Sequence, residues 1–240
     1  MGKTDEYRQA LAKLSDWDEY LLKNSGLPGP RGNLELAAVV ADEGNLALFE
    51  RYITYDAQTA PTNSPYEFLA FCGVLGLGRL VAEGKAGYLS IIRTFASDPR
   101  WRLREGVAQA LQRLGKVDMT RLLQEMEIWS QGSWLEKRAA AAALAEPILL
   151  HNPYQIEQAL RILDAITASL LTCQNRKNPD FLTLRQGLGY CWSVIAAALP
   201  QEGLPFMEKW ICNSDPDIRW IMKENLKKKR LIRVAPQWVE

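Results

Sequence analysis

Helix-start signals recur along this chain at a nearly constant spacing, and that recurrence restricts the fold more than any other feature. A residue able to cap free amides precedes proline at Ser64-Pro65, Asp98-Pro99, Asn178-Pro179 and Asp215-Pro216, and Gly132-Ser133 is a weaker start. Proline suits the first helical position because its missing N–H would have no partner there. The starts at 65, 99, 133, 179 and 216 are separated by 34, 34, 46 and 37 residues, which is typical of repeated helix pairs.

Between these starts the apolar residues follow a helical period. Over residues 99–114 they form one stripe of a helix: Leu103, Val107, Ala110, Leu111 and Leu114. Strand-type alternation is nearly absent. Glycine or proline is expected to end the helices at Gly44, Gly84, Gly115, Pro147 and Pro200. The run Gly73-x-x-Gly76-x-Gly78 lies inside a helical pattern, so it indicates close helix packing rather than a phosphate loop.

The pattern predicts an all-α chain of about six helix pairs, stacked as a right-handed α-α superhelix. The expected pairs are 4–24 with 30–43, 45–54 with 65–83, 86–96 with 99–114, 119–130 with 133–146, 153–172 with 179–199, and 203–212 with 215–230. We expect a single domain, 1–240, with N-terminal capping helices in 1–44 and a basic C-terminal cap in 215–240.

Three segments resemble the HEAT-repeat family: SDPRWRLREGVAQALQRLG (97–115), GSWLEKRAAAAALAEP (132–147) and NSDPDIRWIMKENL (213–226). Each is similar to the HEAT pattern of a helix start, a basic residue, and then small and leucine positions. The resemblance covers roughly residues 30–230. It implies a HEAT-like solenoid in the ARM-like class of folds, and it says little about chemistry.

Composition excludes several classes of function. The net charge is +1, so bulk charge does not drive this chain onto a polyanion. The single histidine, His151, cannot supply a multi-histidine metal site, and the four cysteines are far apart with no C-x-x-C pair. We therefore expect no metal and no cofactor. The N-terminus has no apolar signal core, which predicts a cytoplasmic protein that does not enter a membrane.

The second helices of the pairs carry aromatic and cationic residues at spacings that share one helix face. These candidates for a binding groove are Trp101 with Arg104, Trp134 with Arg138, Phe181 with Arg185, and Arg219, Trp220 and Lys223. Aligned rings and guanidinium groups suit phosphates, stacked bases or an acidic peptide. The alternative is that the rings belong to the core between repeats and the cations pair with neighbouring carbonyls or acids.

The C-terminal segment is strongly basic. Residues 223–233 contain six cations and one acid, Glu224. The predicted basic patch is Lys227, Lys228, Lys229 and Arg230, with Arg233 beyond it. Such a patch could hold a phosphate backbone. It could equally be the solvated end cap that a solenoid requires, with cations near a helix C-terminus.

Two functions are consistent with these features. The first is a non-enzymatic scaffold whose concave groove binds a protein or another macromolecule. The second is DNA binding, because PDFLTLRQGLGYCWSVIAAALP (179–200) is similar to the later repeats of the bacterial HEAT-like alkylpurine DNA glycosylases. That family has a cleft of tryptophans and one aspartate. Neither Trp101 nor Trp134 is followed by Trp-Asp, so the catalytic aspartate of that family cannot be assigned to a residue of this sequence. Non-enzymatic binding is therefore favoured.

Overall fold

A computed structural model describes residues 2–238 of the chain. Over that range it contains fourteen α-helices and no strand. The described residues form two compact units, 2–114 and 115–238. That the chain folds as one domain remains a prediction.

Unit 1, residues 2–114, contains the first seven helices, and the last of them continues three residues into unit 2. They are α1 Lys3–Leu11, α2 Asp18–Asn24, α3 Leu34–Glu43, α4 Leu46–Tyr52, α5 Pro65–Ala82, α6 Tyr88–Phe95 and α7 Trp101–Val117. Unit 2 contains α8 Met119–Trp129, α9 Trp134–Leu144, α10 Pro153–Ser169, α11 Pro179–Ala198, α12 Pro200–Ile211, α13 Pro216–Leu226 and α14 Lys229–Val234. Short 3-10 helices lie at Pro147–Leu149, Leu170–Thr172 and Pro236–Trp238.

Most predicted helix starts are confirmed by their capping bonds. The side chains of Ser64, Ser133, Asn178 and Asp215 each accept a hydrogen bond from a backbone N–H in the first turn of the helix that follows. The exception is the start at Asp98-Pro99, where α7 begins two residues later at Trp101. There the Asp98 carboxylate accepts from the Arg100 N–H at 2.8 Å, which closes a turn before the helix.

Four further helix boundaries differ from prediction. The expected helix over 4–24 is broken at residues 12–17, where the Trp17 indole donates to the Leu11 carbonyl at 3.1 Å. Gly115 does not end α7, because it gives close packing: a Cβ there would lie 2.6 Å from a methyl of Leu122. The last predicted helix is divided into α13 and α14, and α12 begins at Pro200 rather than near residue 203.

Helix α5 is the centre of unit 1, where it packs against α3, α4 and α6. The glycine run of α5 permits this packing, as predicted. A Cβ on Gly76 would lie 2.3 Å from the Phe49 ring, and one on Gly78 would lie 2.5 Å from the Ala110 Cα. Within residues 2–238, α5 alone is long and apolar enough to cross a membrane, yet most of it is buried inside the protein, as in a core helix.

Helix α11 is the corresponding centre of unit 2, packed between α9, α12 and α13. Its Trp192 is fully buried, and the indole donates to the Thr167 hydroxyl at 3.0 Å. The buried Asn225 amide donates to the Leu188 carbonyl and accepts from the Ser193 N–H, each at 2.8 Å. These satisfied polar groups fix α13 against α11.

Candidate nucleic-acid interface

A cavity of about 250 Å³ lies in unit 1 beside the first turn of α7. Its wall combines apolar side chains, two arginines, one carboxylate and one amide: Leu27, Arg31, Gly32, Leu34, Phe68, Phe71, Trp101, Arg102, Glu105 and Gln109. We call it the Trp101 cavity. The Trp101 side chain is 45% exposed, which is unusual for tryptophan, since most of its surface is normally buried.

Glu105 is a residue of this cavity that the sequence analysis missed. Trp101 and Glu105 are four residues apart on α7, which places both on one helix face. The structure brings both to the same cavity wall. The signal was present in the sequence as an aromatic residue followed by an acid at i+4, but the predicted pairs at that spacing were of aromatic residues with cations.

Arg102, not the predicted Arg104, lies over the Trp101 ring. The Arg102 guanidinium carbon is 4.4 Å from the ring centroid. The Arg104 guanidinium instead donates to the backbone carbonyls of Asp98 and Pro99 at 2.7 and 3.0 Å. The expected Trp101–Arg104 pair is therefore replaced, because Arg104 satisfies the free carbonyls of the turn that precedes α7.

In unit 2 the Trp134 and Phe181 rings meet edge to face, with their centroids 5.5 Å apart. Phe181 is fully buried, so it belongs to the core and not to an exposed surface. The cation over Trp134 is Lys137, at 4.7 Å, and burial lowers the pKa of its ammonium group. Arg138 is half-buried and packs alongside Gly187.

Arg185 lies between an aromatic ring and an acid. Its guanidinium carbon is 4.2 Å from the Trp220 ring centroid, and its Nε is 2.9 Å from the Asp217 carboxylate. Arg176 pairs with the same Asp217 at 2.8 Å and with Asp215 at 2.9 Å. The Arg185 pair joins α11 to α13, and Arg176 ties the segment before α11 to the start of α13. The acids compensate the arginine charges inside the unit.

Arg219 and Lys223 are exposed cations on α13, one turn apart. Together with Trp220 they line a groove of about 390 Å³ in unit 2. The rest of its lining is apolar: Ile211, Pro216, Met222 and Leu226. Of the predicted groove residues in unit 2, Arg219 and Lys223 are exposed, whereas Trp220 is half-buried.

The predicted basic patch surrounds an aromatic ring that the sequence analysis did not single out. Tyr190 is 45% exposed, and the charged ends of Lys228 and Arg230 lie 5.8 and 4.8 Å from its ring centroid. Arg230 also donates to the Tyr190 hydroxyl at 2.8 Å. Lys227 pairs with Glu224, while Lys229 is exposed.

Comparisons with known proteins give one likeness of fold. No protein-family model matches the chain, and no curated protein matches it. The structure is similar to the crystal structure of AlkD2 from Streptococcus mutans, with 18% sequence identity and a TM-score of 0.62. The match covers 92% of this chain and 98% of that one. It confirms the predicted fold class, an all-α HEAT-like solenoid.

Proposed function

We propose that this chain is a DNA-binding helical scaffold that holds an unstacked base in the Trp101 cavity. The exposed Trp101 indole, at the edge of a cavity with apolar and polar walls, is the observation that carries the proposal. Base–aromatic stacking contributes about 1–3 kcal/mol per base and tolerates any sequence, because every base has a π face.

The size of the Trp101 cavity fits one planar ring system better than a peptide helix. Its volume of about 250 Å³ corresponds to roughly eight water molecules at about 30 Å³ each. Phe68 and Phe71 supply apolar surface, while Glu105 and Gln109 supply polar groups. Heterocyclic ligands are usually bound by such a mixture of apolar walls and a few polar groups.

Phosphate contacts are assigned to a second surface, in unit 2, which we call the basic face. It comprises the cations of α13, α14 and the turn between them: Arg219, Lys223, Lys227, Lys228, Lys229, Arg230 and Arg233. Cations that neutralise phosphates release condensed counterions, which makes binding depend steeply on salt. Contacts of this kind supply affinity without sequence preference.

The sequence resemblance to the alkylpurine DNA glycosylases supports a DNA ligand, and the likeness of fold to AlkD2 supports the helical scaffold. The resemblance implies a cleft of tryptophans and one aspartate. In this chain the carboxylate beside the exposed tryptophan belongs to Glu105. The proposal is for binding, and base release from alkylated DNA is a second measurement on the same samples.

Fluorescence anisotropy of labelled single- and double-stranded DNA tests the proposal, at about 50 and 200 mM salt. We expect the protein to bind DNA with an affinity that falls steeply as the salt concentration rises. We expect the Trp101→Ala variant to bind more weakly than the wild type. Tyr154→Ala is the matched control, since Tyr154 is an exposed aromatic residue in neither surface. Absence of binding at the lower salt concentration would overturn the proposal.

A second candidate function is binding of a protein partner, favoured by the apolar lining of the 390 Å³ groove in unit 2, to which Ile211 of α12 and residues of α13 contribute. Ile211 and Leu226 are partly exposed and offer an apolar surface that phosphates would not use. Affinity capture with the wild type and with Ile211→Asp tests this candidate. A partner retained equally by both proteins would contradict a role for the groove.

A further inference from the structure

We infer that the Trp101 cavity selects a neutral base over a cationic one, because the protein itself already supplies the cation on the Trp101 ring. The inference rests on the proposed function and names the ligand class for the same cavity. It follows from the position of Arg102, from the contacts that fix it there, and from the charges of the cavity wall.

The ring of Trp101 already has a cationic partner. A guanidinium within about 6 Å of an indole centroid is attracted by the negative π face, and tryptophan is the ring that attracts cations most strongly. The Arg102 guanidinium carbon lies 4.4 Å from that centroid. Arg102 is buried whereas Trp101 is half exposed, so the cation covers part of the indole and the rest is open to a ligand.

Arg102 is held in this position by three acceptors. Its guanidinium donates to the Glu67 carboxylate at 3.0 Å, to the Gly29 carbonyl at 2.7 Å and to the Asn63 side chain at 3.3 Å. Its Nε is shielded from solvent and has no hydrogen-bond partner among the described residues. Moving Arg102 off the ring to admit a ligand cation would break all of these contacts.

A cationic ligand stacked on the open part of Trp101 would therefore share the indole with a cation that is already fixed on it and whose counter-charge is the Glu67 carboxylate, 3.0 Å from the guanidinium. Repulsion between two neighbouring cations is stronger in a partly buried cavity than in water, because the effective dielectric constant is lower there. Glu105 is the wall group that favours a cation, and Arg31 on the same wall opposes it. Because Arg102 also draws electron density from the indole, a neutral, electron-rich ring is the better partner for the open part.

Two modified bases of the same shape distinguish the effect of base charge on affinity from the effect of base size. One strand carries a single 7-methylguanine, which is cationic, and the other carries 7-methyl-7-deazaguanine, which has the same outline and is neutral. We expect the wild type to bind the neutral strand at least about threefold more tightly than the cationic one, the scale of a single cation–π interaction. Equal or tighter binding of the cationic strand would overturn the inference.

A double variant tests the role of Arg102 directly. Arg102→Met with Glu67→Gln removes the resident cation and its buried counter-charge together, while nearly keeping side-chain volume. We expect the preference for the neutral strand to disappear or to reverse toward the cationic strand. An unchanged preference in a variant with native helical content would contradict the assignment to Arg102. The wild-type comparison stands by itself if the double variant does not fold.

Failure of this inference is distinguishable from failure of the proposed function. Trp101→Ala should lower the affinity for both strands and abolish the discrimination between them. If Trp101→Ala leaves the affinity for the neutral strand unchanged, the base site itself is wrong. If Trp101→Ala weakens both strands but the wild type does not discriminate, only the charge preference is wrong.

Discussion

The carboxylate of Glu67 lies 3.0 Å from the guanidinium of Arg102, and both side chains are withdrawn from solvent. The same carboxylate accepts from the Asn63 N–H at 2.7 Å. Asn63 has a φ of 70°, a left-handed conformation that asparagine tolerates better than most residues. The pair therefore joins α7 to the turn that begins α5.

Removing only one partner of the Glu67–Arg102 pair is expected to lower the free energy of unfolding substantially. Glu67→Ala should lower the free energy of unfolding by about 3–5 kcal/mol, because it leaves a buried guanidinium without its counter-charge. Urea unfolding measures the change. Glu83→Ala is the control, since Glu83 pairs with Arg79 at the surface and such pairs contribute little. A loss of under about 1 kcal/mol for Glu67→Ala would contradict the account.

Arg100 is expected to hold the long segment between α4 and α5 in place. Its buried guanidinium donates to the carbonyls of Tyr55, Asp56 and Ala60 at 2.9, 3.1 and 3.2 Å. Arg100→Met should destabilise the protein by about 2–4 kcal/mol, because it leaves carbonyls unpaired.

Hydrogen exchange over residues 53–64 measures the local part of the Arg100 effect. We expect the protection of these amides to fall first in Arg100→Met. Arg100→Lys should recover little of it, because an ammonium group cannot reproduce the guanidinium fork. Exchange that is unchanged in this segment would show that other contacts hold it.

Charge reversal on the basic face is expected to weaken DNA binding for every sequence. Arg219→Glu with Lys223→Glu removes two phosphate contacts, so the slope of log affinity against log salt should fall in magnitude by about 1.8 for duplex DNA. The control is Lys13→Glu with Lys85→Glu, which changes the net charge by the same amount at two exposed lysines of unit 1. Equal losses in both variants would show that net charge, not this face, governs binding.

Acid is expected to weaken the tie between Arg176 and Asp215. Burial raises the pKa of the Asp215 carboxyl, but the Ile218 N–H and Arg176 outweigh burial and hold the pKa below its usual 3.8. Stability from this group is therefore present above the unfolded pKa and is lost as pH falls through the folded pKa.

Asp215→Asn tests the acid effect, because asparagine keeps the N-cap acceptor and removes the charge. Urea unfolding between about pH 5 and 3 should show a steeper loss of stability for the wild type than for the variant. Parallel losses would contradict the role of Asp215.

The fold was largely predictable because its helix starts are local. Asp215 caps α13 and Ser64 caps α5 through bonds to residues only two or three positions away. The break at residues 12–17 was not predictable, since it depends on where the Trp17 indole finds its acceptor. Gly115 could be a helix stop or a close contact, and only the position of Leu122 decides between them.

The candidate site was predictable in residue type but not in pairing. Trp101 was predicted as a groove residue and lines a cavity, yet its cation is the adjacent Arg102, held by Glu67 and Asn63 from a different helix and turn. Spacing rules describe one helix face and cannot locate partners that arrive from elsewhere in the chain. For the same reason the burial of Phe181 could not be read from its position four residues before Arg185.

Photo-crosslinking tests the central claim, a base seated on Trp101, most directly. The complex of the protein with a DNA strand that carries a single 5-iodouracil is irradiated, and the crosslinked residue is identified by mass spectrometry. The account predicts a crosslink at Trp101 that competitor DNA removes. Crosslinks confined to Tyr190 or Trp220, with none at Trp101, would contradict it.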